Sequence, residues 1–176
     1  MDEAIRREML VLLPRLRRFA HALTGSADDG DDLVQATCER AIRHIDKWQP
    51  GTRLDSWMFR IARNLNLNNL RARGVRGEHL APVDAEEHLA VDGVRAMESQ
   101  LTLGAVRRFI AALPEQQRSV LLLVCVEGLS YKEVSAILEL PIGTVTSRLA
   151  RARITLKALM EGGGTVPAEA GMEAGP

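Results

Sequence analysis

The sequence predicts an all-α protein of two small helical domains joined by a flexible linker, and three observations point there. Hydrophobic residues fill 46% of the 176 positions but aromatics only 3%, so a core has to be built from Leu, Val, Ile and Ala on helices. Strands would want more β-branched and aromatic runs than this chain offers. Apolar residues recur at intervals of three and four through most of the chain, the period of a helix with one buried face. Between two such blocks the period is lost and acidic residues take over. The boundaries that follow are a first domain over 1–76, an acidic flexible linker over 77–100, a second domain over 101–160 and a disordered tail over 161–176.

Taken in order, Ile5, Met9, Leu12, Leu13, Leu16, Phe19, Ala20 and Leu23 set a first helical run over 3–23, which Pro14 should divide or kink. Gly25 stops it, and Ser26 to Asp32 reads as a polar turn. A second helix is expected over about 32–45, with Leu33, Ala36, Thr37, Ala41 and Ile45 inward and Asp31, Asp32, Gln35, Glu39, Arg40 and Arg43 outward. That outer face is either simply solvated or a protein-docking surface. The Pro50-Gly51 pair breaks the helix and leaves a polar loop beside Trp48. A third helix over about 55–73 turns Trp57, Met58, Ile61, Leu65 and Leu70 to the core. Its other side offers Arg60, Arg63, Asn64, Asn66, Asn68, Asn69, Arg71 and Arg73, side chains suited to bases and phosphates.

After the acidic segment, Leu103, Val106, Phe109, Ile110 and Leu113 restore the helical period, and Pro114 suits the start of a further helix that stops near Gly128. Ser130 and Glu133 have capping-box spacing and fix the start of the next helix. Pro141 and Gly143 mark a tight turn. The last helix carries two faces: Val145, Leu149, Ala152 and Leu156 form an apolar stripe, while Thr144, Ser147, Arg148, Arg151 and Thr155 form a polar one. Hydroxyls interleaved with arginines fit a phosphate backbone and the base edges of a major groove, so this pair of helices is a helix-turn-helix.

Net formal charge is zero but unevenly spread. Residues 1–77 carry 14 basic and 10 acidic side chains, residues 78–100 carry 1 and 6, residues 101–160 carry 8 and 4, and residues 161–176 carry 0 and 3. Two basic blocks around an acidic connector suit two nucleic-acid-binding modules on a tether that DNA does not attract, with ordinary scatter of surface charge as the alternative. Cys38 and Cys125 lie far apart, outside any CxxC, and read as buried thiols of a reducing compartment. No segment reaches membrane-spanning length and no signal-peptide core follows Asp2, Glu3, Arg6 and Arg7, so a soluble cytoplasmic protein without membrane insertion is expected. His21, His44, His79 and His88 have no carboxylate or cysteine at ligand or triad spacing, and a Gly-rich phosphate loop is lacking. Neither an enzyme nor a metal or other cofactor is expected.

Three motifs stand in order along the chain: DDLVQATCERAI at 31–42, WQPGTRLDSWMFRIARNLNLNNLRAR at 48–73, and LPEQQRSVLLLVCVEGLSYKEVSAILELPIGTVTSRLARAR at 113–153. With them the chain resembles an extracytoplasmic-function (ECF) sigma factor of the sigma-70 family. The first motif resembles region 2.2, the second regions 2.3 and 2.4, and the third region 4. The resemblance implies a transcription-initiation subunit that binds core RNA polymerase, at the beta-prime clamp and beta flap, and promoter DNA, and that an anti-sigma factor restrains. By the same match, Asp32, Gln35 and Glu39 would face polymerase. Lys47, Trp48, Gln49 and Thr52 would receive a flipped base of the minus 10 element, and Arg60, Arg63, Asn64, Asn68 and Arg71 would hold the strand. Thr144, Ser147, Arg148 and Arg151 would read the minus 35 element, with Arg118, Ser130, Tyr131 and Lys132 nearer the phosphates. Three departures from the family pattern stand out: Asn68 where Asp is usual, Glu139 where the turn commonly has Gly, and Thr146 and Ala150 where larger or basic side chains are frequent. A sigma-like decoy that only sequesters an anti-sigma factor, and an ordinary helix-turn-helix regulator, are the competing readings. The intact Arg148 and Arg151 weigh against the first, and the region-2-like half against the second.

Overall fold

The computed structural model describes residues 2–75 and 104–161, all of whose regular structure is helical. The expected linker at 77–100, and all of the expected tail except Glu161, lie outside these residues. Among the described residues no helix is long and apolar enough to cross a membrane.

Three helices form the first unit: α1 (Glu3–Thr24), α2 (Ala27–Arg43) and α3 (Leu54–Val75). The Asp2 side chain caps α1 by accepting from the Ala4 N–H, and Gly25 ends it in the left-handed conformation at φ 78°. Pro14 does not divide the helix as the sequence suggests. Pro14 is exposed and Leu10 is 59% exposed, so the carbonyl that loses its donor lies on the watered side. The second helix starts five residues before its expected start at 32, because the Ser26 side chain accepts from the Asp29 N–H and draws Ala27 to Gly30 into the first turn. Gly30 permits the crossing with α1: a Cβ there would stand 2.4 Å from Cδ2 of His21 and 2.9 Å from its Cα. A short 3-10 turn, Ile45–Lys47, and the loop to Arg53 lead into α3.

The second unit holds helix α4 over residues 104–112, α5 (Glu115–Leu121), a π-helical turn (Leu122–Val126), α6 (Tyr131–Leu138) and α7 (Ile142–Glu161). The π turn is wide: the Glu127 N–H reaches back to the Leu122 carbonyl at 3.0 Å and the Leu129 N–H to the Leu123 carbonyl at 3.0 Å. The capping box forms as expected, with the Ser130 side chain on the Glu133 N–H and the Glu133 side chain on the Ser130 N–H. Glu139 ends α6 at φ 55°, ψ 46°, among the described residues the one non-glycine with positive φ. A glycine would adopt that conformation without the cost a Cβ imposes there.

Buried side chains of both units belong to one contiguous apolar cluster that includes Leu16, Phe19, Leu23 and Met58 from the first and Leu122, Leu123, Val134 and Leu149 from the second. The helix α3 packs on α6, and α1 packs on α5 and the π turn. The sequence leaves the two units as separate bodies. Their apolar faces meet because neither helical unit covers its own.

Candidate nucleic-acid interface

The last helix presents the two faces its sequence promises. Val145, Leu149 and Ala152 are fully buried and Leu156 half-buried, which turns Ser147 and Arg151 outward and leaves Thr144 and Arg148 at the edge. At the start of α6, Ser130, Tyr131 and Lys132 are exposed beside the capping box that the Glu133 side chain closes. The structure gives Arg118 a different job from the phosphate contact its sequence suggests. Its guanidinium donates to the carbonyls of Leu23 at 2.6 Å and Leu113 at 2.8 Å and to that of Ala111, tying the second unit to the end of α1. Burial draws its pKa down, with Glu115 pulling the other way.

On the first unit, Lys47, Gln49 and Thr52 are exposed and Trp48 is half-buried with its Nε1 lacking a protein partner. Thr52 Oγ1 donates to the Gln49 carbonyl at 2.6 Å and holds the loop tight. Beside Lys47, a cleft of about 150 Å³ is lined by Arg40, His44, Trp57 and Ile61 as well. Those four were missed in the sequence, although Arg40, His44 and Lys47 recur at intervals of four and three on one side of the chain. Along α3, Asn64, Asn68 and Arg71 are exposed. Asn66, expected outside, is buried at 4% exposure, and Arg73 is turned to Asp29 of α2 at 2.6 Å. Asp32, Gln35 and Glu39 share the exposed side of α2, with Gln35 Nε2 donating to Glu39 Oε1 at 3.0 Å.

Arg60 and Arg63, expected on a free strand-holding surface, are engaged by the second unit. Arg60 donates to the Ala136 carbonyl at 2.7 Å and pairs with Glu139 at 3.2 Å, while Arg63 pairs with Glu115 at 3.6 Å. Nearby, Asp55 is a buried carboxylate shared by Arg15 at 3.1 Å and Arg53 at 2.6 Å. Burial pushes its pKa up, but the Arg53 hydrogen bonds, the Ser56 N–H and the two positive charges outweigh it and hold it below the usual range. Glu115 goes the other way: burial dominates the pull of Arg63, Arg118 and Arg148 and raises it. Next to Glu115 a cleft of about 410 Å³ opens between the units, walled by Leu67 of α3, Pro114, Gln116, Arg148 and Arg151. Cys38 is half-buried, which pushes its thiol pKa up, and Cys125 is exposed, contrary to the burial expected of both. The π turn swings Cys125 outward, 3.9 Å from the Arg153 guanidinium.

Residues 103–156 match the family described as Sigma-70, region 4, and residues 9–63 match the Sigma2 domain of PhyR. The ECF RNA polymerase sigma factor EcfG of Rhodopseudomonas palustris is 36% identical over 160 residues, 91% of this chain and 87% of that protein. The ECF RNA polymerase sigma factor SigW of Bacillus subtilis is 27% identical over 152 residues, 81% of each chain. Among solved structures, the sigma factor RpoE of Bartonella quintana, in complex with the anti-sigma factor NepR, is similar at a TM-score of 0.78 and 31% identity. The match covers 91% of this chain and 98% of that one.

Proposed function

Since this chain belongs to the ECF sigma factors of the sigma-70 family, which direct RNA polymerase to promoters, we propose how its surfaces divide that work. The 36% identity to such a factor along 91% of the chain carries the reading. The exposed acidic and amide row of Asp32, Gln35 and Glu39 docks on the beta-prime clamp of core polymerase, and the second unit reaches the beta flap. Thr144, Ser147, Arg148 and Arg151 read the minus 35 element from the major groove, with Ser130, Tyr131 and Lys132 on the adjacent phosphates. Arg118 is left out of that set, because its guanidinium is spent on carbonyls.

At minus 10, the loop of Lys47, Trp48, Gln49 and Thr52 with its neighbouring cleft receives a base drawn out of the stack. Cationic and amide groups at Arg60, Arg63, Asn64, Asn68 and Arg71 hold the strand. The protein supplies binding energy for strand opening and does no covalent chemistry. Its work on polymerase places it in the cytoplasm. An anti-sigma factor restrains it, a reading supported by the 31% identical sigma factor that was solved with NepR.

Run-off transcription with purified core polymerase tests the assignment. Initiation at a cognate promoter is expected only when the chain is added, and failure to form any initiating holoenzyme would overturn it. Capture of an anti-sigma protein without ever joining polymerase would instead favour the decoy.

A further inference from the structure

The outer side of α7 is divided into two rows. Taken at every fourth residue, Gly143, Ser147, Arg151 and Thr155 form a polar row, exposed except for the half-buried Thr155. Beside it Ile142, Thr146, Ala150 and Ile154 form a row without charge, about 18 Å long at about 1.5 Å per residue. All four members of that second row are exposed. The isoleucines at its ends are 49% and 69% exposed, while α7 buries Val145, Leu149 and Ala152 and packs on α5 and α6.

The middle of the row offers methyl groups. Thr146 Oγ1 donates to the Ile142 carbonyl at 3.1 Å, so the helix holds its hydroxyl proton and the methyl is left for a partner. Ala150 has nothing but a methyl to offer. These are the two positions where the family pattern frequently has larger or basic side chains. On the polar row, Ser147 Oγ donates to the Thr144 carbonyl at 3.1 Å, which leaves Arg151 as that row's donor. A Cβ at Gly143 would meet nothing within 4 Å, so the fold does not need the glycine there, and its bare backbone lets the start of α7 come close to a partner.

We propose that the uncharged row reads thymine: C5-methyl groups of the minus 35 element lie against the Thr146 and Ala150 methyls, with Ile142 and Ile154 closing the contact at either end. The inference rests on the minus 35 role of α7 and adds an apolar half to its polar readout. Among the four bases only thymine carries a methyl on its major-groove edge, and alanine and threonine methyls are side-chain groups that fit it. Both surfaces lose water on contact, so the gain needs no donor or acceptor. A protein partner would ask for something else. Helix and groove contacts between proteins are anchored by large side chains that fill pockets. Here the centre of the row has two methyls, next to a row that carries Arg151, and that pairing suits base edges flanked by phosphates.

Holoenzyme assembled from the full chain and core polymerase tests the inference. Selection from promoter duplexes randomised over the minus 35 segment should return a site with thymines at neighbouring positions. Replacing those thymines one at a time by deoxyuridine removes only the methyl, and at a contacted position it should weaken binding about fourfold, the weight of one buried methyl group. Thr146→Ser keeps the hydroxyl and should bind the thymine and deoxyuridine duplexes alike at one of these positions, where wild type distinguishes them. Ala150→Ser should do the same at the other. Arg151→Ala should weaken both duplexes and leave the fourfold ratio in place. Helical circular dichroism matching wild type checks that each variant is folded.

A selected site without thymine, or equal binding of both duplexes by wild type, would overturn the thymine reading while leaving the minus 35 role of α7 standing. Absence of any sequence preference in that segment would overturn the role and the inference together. Impaired assembly with core polymerase in Ile142→Ser or Ile154→Ser, with both duplexes bound alike, would make the row a protein-docking surface instead.

Discussion

The two helical units treat their carboxylates in opposite ways. In the first, acids are settled at home: Asp31 takes Arg17 at 2.7 Å and His21 at 2.6 Å from α1, and Asp29 takes Arg73 of α3 at 2.6 Å. Those bonds tie α2 to both of its neighbours, and the hydrogen bonds from Arg17 and then His21 draw the Asp31 pKa down to about 2. In the second unit every acid of α5, α6 and the turns around them looks across to the other body. The first unit satisfies these acids within itself, while its Arg15, Arg53, Arg60 and Arg63 reach across to the second. The second is complete only against its neighbour, so perturbations there should report on the contact between units rather than on either fold alone.

The largest expected effect sits on that contact. Arg118→Met removes the donors of three carbonyls, and it should cost about 3 kcal/mol in urea denaturation, because those acceptors stay buried. A cost below about 1 kcal/mol would return Arg118 to the phosphate-binding set. Next, Arg151→Ala should weaken minus 35 duplex binding by roughly 1 to 3 kcal/mol if the side chain reads a base, with promoter preference relaxed. If only the salt slope falls, by about one, it contacts a phosphate instead.

A change confined to the first unit comes third. Gly30→Ala forces α1 and α2 apart near His21 and should cost about 1 to 2 kcal/mol, with the helix propensity of alanine offsetting part of the clash. An equally stable variant would mean that the crossing yields at no cost.

The smallest effects separate the units by pH. The Asp55 pKa is depressed in the fold, so its contribution is present above its ordinary value near 3.8 and is lost as pH falls through the folded value. Asp55→Asn should therefore destabilise at pH 7, with the deficit shrinking in acid. The Glu115 pKa is raised above its ordinary 4.5, so the favourable state is the protonated one, fully present below that value and lost as pH rises through the folded value. Glu115→Gln should thus raise the urea midpoint at pH 7, and the gain should vanish below about pH 4.5. Matching signs for the two variants would refute this picture of the contact.

Much of the architecture was legible in the sequence, for local reasons. The apolar stripe of α7, the capping box at Ser130 and the left-handed demand at Glu139 are all decided within a few residues. The early start of α2 was not legible, since Ala27-Asp28-Asp29-Gly30 reads as a turn until the Ser26 cap, the Arg73 partner and the close His21 backbone are known. The state of Arg60 and Arg63 was hidden for a different reason: pairs such as Arg15 with Glu127 join residues 112 positions apart. One clue was available, four isolated glutamates in an otherwise basic stretch. The exposure of Cys125 depends on the π turn, which leaves no signature in an apolar run.

That π turn also sets the phase of everything after it. A π turn holds one residue more than the α-helix it interrupts. Deleting a single residue among 122–126 would let the segment relax to ordinary pitch and keep its helical hydrogen bonds. Every later position would then rotate by about 100° about the α5 axis and draw back by about 1.5 Å. Glu127 would swing away from Arg15, and α6 and α7 would present a different side to the first unit. One codon thus acts as a phase shifter for the DNA-reading half, separating how well that half folds from where it points.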